Sequence, residues 1–232
     1  MKQIEVSRFV AKDFQTAEAM KTLRTNLQFC GSAVKTVALT SFSASEGKST
    51  VAFQLCASLA QAGKRVLLLD ADLRKSTLPN RMRIKSKVEG LSHYLSGMAN
   101  ADELICQTDI ADFYILFAGK LVPNAAELLG TQGFPRLISA LRETFDYVII
   151  DTAPLGQVID CAVIVPVLDG TIMVVDAARN SYKLERRMKA QLEKAGAKIL
   201  GVILNGVDFN DKHGYYGKAY YGKNYGYGEE TK

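Results

Sequence analysis

An α/β fold, with a mostly parallel sheet covered by helices on both faces, is what this 232-residue sequence predicts. Three observations predict it. Short apolar, β-rich runs recur between residues 35 and 208. Stretches of helical period separate several of them. The first run then leads through a small-residue loop into Gly-Lys-Ser-Thr at the head of a helix. Strands that are apolar almost throughout must be buried on both faces, and parallel neighbours need crossovers, so helices belong on both sides of the sheet.

The elements justify themselves in order. Residues 1–34 read as an arm carrying one helix, from 16 to about 29, because Ala19, Met20, Leu23, Leu27 and Cys30 recur at three- and four-residue steps. TVALTS (36–41) is the first core strand and is followed by a helix over 48–62. RVLLLD (65–70), FYILFA (113–118), YVIID (147–151), TIMVVDA (171–177) and AKILGVILN (197–205) continue the strand series, with helices over 133–144 and 184–195. One α/β domain over 35–210 results. Residues 211–232, DKHGYYGKAYYGKNYGYGEETK, hold no aliphatic side chain larger than Ala219 and cannot build a core, so a flexible tail is expected there.

Composition bounds the function classes. The net charge of +5 is mild and its lysines and arginines are scattered, which suits an anionic ligand or a membrane surface and gives little support to nucleic acid as a partner. Cys30, Cys56, Cys106 and Cys161 form no C-x-x-C pair; buried reduced thiols in a reducing compartment are expected. The first residues, MKQIEVSRFVAKDF, lack the apolar core of a leader peptide. The most apolar region, 147–178, is broken by Asp151, Asp160, Asp169 and Asp176, short of the about 18–20 uninterrupted residues a membrane span requires. A cytoplasmic protein is the expectation.

The loop after the first strand, SFSASEGKST, has the arrangement that cradles phosphate. Backbone N–H groups of Ser45, Glu46 and Gly47 and the positive end of the helix face phosphate oxygens. Lys48 reaches the terminal phosphates, the Ser49 hydroxyl ligates Mg²⁺, and Thr50 adds a contact near the α-phosphate. Phe42 stands where the first glycine of the usual pattern falls. Asp70 and Asp72 end the second strand and Asp151 ends YVIID, all at the edge where open α/β sheets bind ligands. One aspartate at a strand end is ordinarily a turn former or helix cap. Three of them, each after an apolar strand, point to a metal site.

Together SASEGKST, LLLDADLRKSTL and VIIDTAP resemble the Walker A, A′ and B motifs of the bacterial tyrosine kinases of capsular and exopolysaccharide synthesis, whose P-loop fold is similar to the MinD/ParA ATPases. The likeness spans nearly the whole chain. AEAMKTLRTNLQF looks like the family's N-terminal helix, with Glu18, Lys21 and Arg24 on its E-x-x-[RK]-x-x-R oligomerisation motif. AGKLVPNAAELLG resembles its PNP-x-ELL segment, with Ala125 replacing the second proline. GVILNGVD resembles its adenine-side loop, with Asn205 at the base-contacting position.

The resemblance implies ATP and Mg²⁺ as cofactors. Lys48 and Ser49 would hold phosphates and metal, with Asp70 and Asp151 positioning the metal directly or through water. Asp72 would accept the tyrosine proton, and Arg74 and Lys75 would steady phosphate charge or anchor the strand end. It further implies autophosphorylation of a C-terminal cluster, here Tyr215, Tyr216, Tyr220, Tyr221, Tyr225 and Tyr227, six of the chain's ten tyrosines. Implied partners are further copies of the chain in a ring, an octamer; a separate transmembrane modulator that recruits the kinase to the inner face of the plasma membrane; protein-tyrosine substrates; and a cognate tyrosine phosphatase. Without the resemblance, Glu18, Lys21 and Arg24 read as a salt-bridged solvent face and Asn205 as a turn residue. The competing functions are a MinD/ParA-type positioning ATPase and a nucleotide-binding scaffold. Against the first, Ser43 occupies the place of those ATPases' signature lysine, and a tyrosine-rich tail stands where MinD has a basic amphipathic helix.

Overall fold

Each apolar run pairs with others that, like it, need cover on both faces, and the sheet follows from that. In the computed structural model, which describes residues 2–84, 88–179 and 182–207, eight strands form one sheet. They are β1 (Lys2–Ile4), β2 (Thr36–Ser41), β3 (Val66–Asp70), β4 (Cys106–Thr108), β5 (Phe113–Leu116), β6 (Tyr147–Asp151), β7 (Gly170–Asp176) and β8 (Ile199–Asn205). Their order is β1-β4-β5-β3-β6-β2-β7-β8. Every neighbouring pair is parallel except β4 with β5. The predicted fold class is borne out.

Alternation within strands splits the core into two layers. On one face Val37, Leu39, Val66, Leu68 and Ile149 meet α2 (Lys48–Gln61) and Leu27 of α1 (Phe14–Phe29). On the other, Leu67, Leu69, Val148 and Ile150 meet α7 (Gly133–Thr144), while Ala38 and Met173 meet Met188 and Leu192 of α9 (Tyr182–Lys194). A fully buried leucine contributes roughly 1.5–3 kcal/mol by leaving water. Leu67, Leu68 and Leu69 are all fully buried, so β3 is strongly held in the centre of the sheet.

Short helices complete the crossovers: α3 (Leu78–Arg81), α4 (Leu91–Leu95), α5 (Ala101–Leu104), α6 (Ala125–Leu129) and α8 (Asp160–Ile164). They are too brief for their periodicity to be read in the chain. α1 begins two residues before its predicted start, because the Asp13 side chain accepts from Thr16 N at 2.8 Å and caps it. Its apolar stripe is only partly used: Leu27 is buried and Ala19 is exposed.

β1 is the element the sequence does not mark. Lys-Gln-Ile is too short and too polar to show a period, yet it pairs with β4. Asp109 holds the chain just after it, accepting from Val6 N at 2.6 Å and Ser7 N at 3.0 Å. The start of the arm therefore extends the sheet. All four cysteines are free, and Cys56, Cys106 and Cys161 are buried. Among the described residues no helix is long and apolar enough to cross a membrane. The tyrosine-rich tail lies outside the described residues.

Candidate active site

The β2–α2 loop is shaped by two left-handed residues. Ser45 has φ 66° and Gly47, which caps α2, has φ 85°. At Gly47 a side chain is excluded twice over: by the backbone angle, and by Asn205, whose Nδ2 would lie 2.0 Å from an added Cβ. Asn205 itself comes from the end of β8 and donates from Nδ2 to the Glu46 carbonyl at 3.0 Å. The Glu46 carboxylate accepts from Ser43 N at 2.6 Å, and Ser41 Oγ donates to Ser43 O at 2.9 Å. The loop is thus braced from within and from β8.

Phe42, in place of the pattern's first glycine, finds its room at Gly156. A Cβ on Gly156 would come within 2.3 Å of Phe42 O and 2.8 Å of its ring. The two positions are a matched pair, and the departure at 42 is accommodated by a glycine on the β6–α8 connection. Chain proximity gives no hint of it.

Beneath the loop the acidic strand ends converge. Asp70 and Asp151 are register partners on β3 and β6, and both are buried. Lys48, also buried, donates from Nζ to Asp151 Oδ1 at 2.5 Å. Ser76 Oγ donates to Asp70 Oδ2, a partner that nothing in the sequence singled out. Burial, and next the Asp151 charge, raise the Asp70 carboxyl from its ordinary 3.8 to about 7.

Asp72 is half-buried and behaves differently. Its N–H donates to Asp70 Oδ1 at 3.2 Å, and its own Oδ1 accepts from Arg74 N and Lys75 N at 3.3 and 2.9 Å. The turn-forming role of such an aspartate is therefore real here. Oδ2 has no protein donor among the described residues, and Asp72 lines the same cleft as Ser45–Ser49. The sequence placed Arg74 at the phosphates or on the strand end. The structure gives it to the fold: Nε and Nη2 grip buried Asp160 at 2.7 and 2.9 Å, and Nη1 donates to Pro123 O at 2.8 Å. Both Arg74 and Lys75 line the cleft, but the Arg74 guanidinium is spent on Asp160 and Pro123 O.

The other predicted positions sit as follows. Ser49 lines the cleft and Thr50 stands beside it at the third residue of α2. Glu18 and Lys21 form an exposed i,i+3 ion pair of 2.6 Å, and Arg24 turns onto α2, donating to Ser58 O at 2.8 Å. Ala125, in place of the proline, is the buried first residue of α6, the position in a helix that best tolerates proline. Asp208 onward, including Tyr215 to Tyr227, lies outside the described residues.

These groups suit a nucleotide with its metal. Loop residues Ser43–Ser49, Lys48 among them, line the cleft at the head of α2, the end of a helix that favours anions. A neighbouring hydroxyl and two carboxylates supply the hard oxygen donors that Mg²⁺ prefers. Gly47 is needed there because Asn205 fills the space where a side chain would sit.

Comparison with known proteins agrees. A family model described as an AAA domain matches residues 34–186. A tyrosine-protein kinase CpsD of Streptococcus agalactiae is 41% identical over 209 residues, which cover 88% of this chain and 91% of its own. The kinase domain of Escherichia coli tyrosine kinase ETK shares 32% identity at a TM-score of 0.80, over 86% of this chain and 78% of that one. The chimerical protein CapA2B2 shares 31% identity at a TM-score of 0.79, over 88% and 92%. The septum site-determining protein MinD of Pyrococcus horikoshii, complexed with Mg-ADP, is similar in fold at a TM-score of 0.63 and 24% identity, over 74% of this chain and 70% of that one. Matched over 88% of its length to a tyrosine-protein kinase at 41% identity, and over 34–186 to an AAA domain, the chain belongs to the bacterial tyrosine-protein kinase family.

Proposed function

We propose that this chain is a MgATP-dependent protein-tyrosine kinase that phosphorylates the tyrosines of its own C-terminal segment, in trans, and those of other proteins in capsular or exopolysaccharide synthesis. The observation that carries the reading is the division of labour among carboxylates. Asp70 and Asp151 are buried beneath the loop, whereas Asp72 lines the cleft with an oxygen to spare.

Each residue then has a role. Lys48 leaves Asp151 for the β/γ-phosphates and offsets their charge. Ser49, with Asp70 and Asp151, holds the metal directly or through water. Bound Mg²⁺ would supply charge neutralisation at the phosphoryl oxygens. Asp72 Oδ2 takes the proton that a tyrosine hydroxyl gives up as its oxygen bonds to the γ-phosphorus and ADP departs. Asn205 faces the base and keeps the loop braced.

The same reading assigns Glu18, Lys21 and Arg24 to contacts between copies in a ring, an octamer, and gives the kinase a separate transmembrane modulator at the inner face of the plasma membrane and a cognate phosphatase. The family resemblance and the exposed placement of Glu18 and Lys21 support it.

The decisive experiment incubates purified chain with MgATP and maps phosphate by mass spectrometry. Phosphotyrosine between 215 and 227 is expected, with loss of transfer in Asp72→Asn. Release of inorganic phosphate without any phosphotyrosine would replace the kinase by a hydrolysing ATPase.

A further inference from the structure

Four cationic side chains line the cleft, and two of them are already committed. Lys48 is held by Asp151, and Arg74 by Asp160 and Pro123 O. Arg81, the last residue of α3, is different. It lies among no recognised motif, 31 residues from Thr50, yet its Nη1 donates to Thr50 Oγ1 at 2.5 Å. It lines the cleft together with Ser45–Ser49 and Lys75. Among the described residues it has no carboxylate partner.

Its backbone is well fixed. Leu78 and Met82, on either side in sequence, are buried in the core beneath α2, and Met82 N donates to Leu78 O at 3.0 Å. The guanidinium carries five N–H donors. One is used on Thr50, which leaves the others for an incoming anion. Thr50 is in the first turn of α2, where the backbone N–H groups and the helix dipole already favour negative charge.

We propose that Arg81 is a further nucleotide-binding residue of this kinase, which with Thr50 clamps the phosphate nearest the nucleoside while Lys48 serves the terminal phosphates. Arg81 is a short-range reader of phosphate rather than a strut. A guanidinium oriented by a hydroxyl loses less freedom on binding than a free one, and its hydrogen bonds to phosphate are charge-assisted. The inference rests on the reading of this cleft as an ATP site.

The test is direct binding of a fluorescent ADP, with Mg²⁺ in excess, to the full chain and its variants. Arg81→Ala should weaken binding about 10-fold, the scale of one lost charge-assisted bond, with the melting temperature nearly unchanged for so exposed a residue. Arg81→Gln separates the two roles: glutamine can still donate to Thr50 but carries no charge. It should bind as weakly as Arg81→Ala, and Arg81→Lys should recover part of the affinity. Thr50→Val combined with Arg81→Ala should cost less than the sum of the two single changes. Unchanged affinity in Arg81→Ala, or wild-type affinity in Arg81→Gln, overturns the proposal and leaves only a tie between α3 and α2. Lys48→Met is the control. If it too binds ADP normally, the nucleotide-site reading fails; if it alone loses ADP, only the role of Arg81 fails.

Discussion

Lys48 and Asp151 meet at 2.5 Å with almost no solvent around them, so neither can be changed without consequence for the other. Removing one partner of a buried pair leaves an uncompensated charge, at a cost of about 3–5 kcal/mol. Lys48→Met should abolish nucleotide binding by deleting the phosphate contact, and should also lower the melting temperature by roughly 6–20 °C for a chain of this size. Calorimetry below that temperature reads the binding, and unchanged MgATP affinity would remove the phosphate-loop assignment. Asp70 carries a pH signature. Its folded value of about 7 lies above its ordinary 3.8 because of burial and then the Asp151 charge. A raised folded value means the folded state holds the proton more tightly. The resulting stability is complete below about pH 4 and is lost as pH rises through 7. Melting temperatures of the nucleotide-free chain should fall across that window, and Asp70→Asn should flatten the fall. An equal slope in the variant would place the titration elsewhere. Asp72→Asn should spare nucleotide binding and slow phosphoryl transfer by about 10²–10⁴, the usual range for a lost general base. Transfer at the normal rate would mean that another group takes the proton.

At the scale of elements, the contact between the phosphate loop and the β6–α8 connection is unforgiving. Gly156→Ala pushes a methyl group into the Phe42 carbonyl, 2.3 Å away, and backbone cannot swing aside as a side chain can. Overpacking of this kind costs about 1–3 kcal/mol. Nucleotide affinity should drop along with melting temperature, because Phe42 leads directly into the loop. Normal values for both would show that the connection yields freely. The α1 helix makes two separable contributions. The Glu18–Lys21 pair is exposed and contributes little to stability, so losing it should leave the folded chain intact. Arg24 also satisfies Ser58 O on α2. If the proposed ring forms, changing Glu18, Lys21 and Arg24 together to Ala should shift the unphosphorylated protein towards monomer, as measured by light scattering. Glu18→Ala with Lys21→Ala should give the same shift without disturbing α2. An unchanged mass in both would return these residues to a solvated face.

For the whole molecule, sheet order sets where the tail is rooted. β8 ends at Asn205, in contact with the phosphate loop of the same chain, so the residues that follow depart from the active edge. Residues 208–232 can span at most roughly 3.3–3.6 Å each, the reach that the proposed transfer between copies would draw on. Each added phosphate brings about −1.5 to −2 charges, and several on one tail would repel the acidic strand ends and other tails. Phosphorylation should thus release the tail and loosen the proposed ring. Mixing a Lys48→Met chain that keeps its tail with an active chain cut after Asn210 tests the geometry. Phosphate is expected on Tyr215 to Tyr227 of the inactive chain. If that chain stays unmodified while intact active protein labels itself, transfer occurs within one subunit.

The sheet and the phosphate loop were legible along the chain because their signals are local. An apolar run of five or six residues declares a buried strand, and SEGKST carries its anion chemistry in consecutive residues. β2, β3 and β6 fall at or within a residue of the predicted runs for that reason. Tertiary structure decided whatever depends on partners distant in sequence. β1 needs β4 and Asp109 to exist. Arg74, which the sequence left between the phosphates and the strand end, is held by Asp160, 86 residues away, because a buried carboxylate without a cation is costly. Phe42 depends on Gly156, and Arg81 gains its place only when α3 folds against α2. Sequence patterns report what a segment needs, namely burial, a period or a turn. Which distant group meets that need is settled by the three-dimensional packing, where charge and volume must be matched across the core.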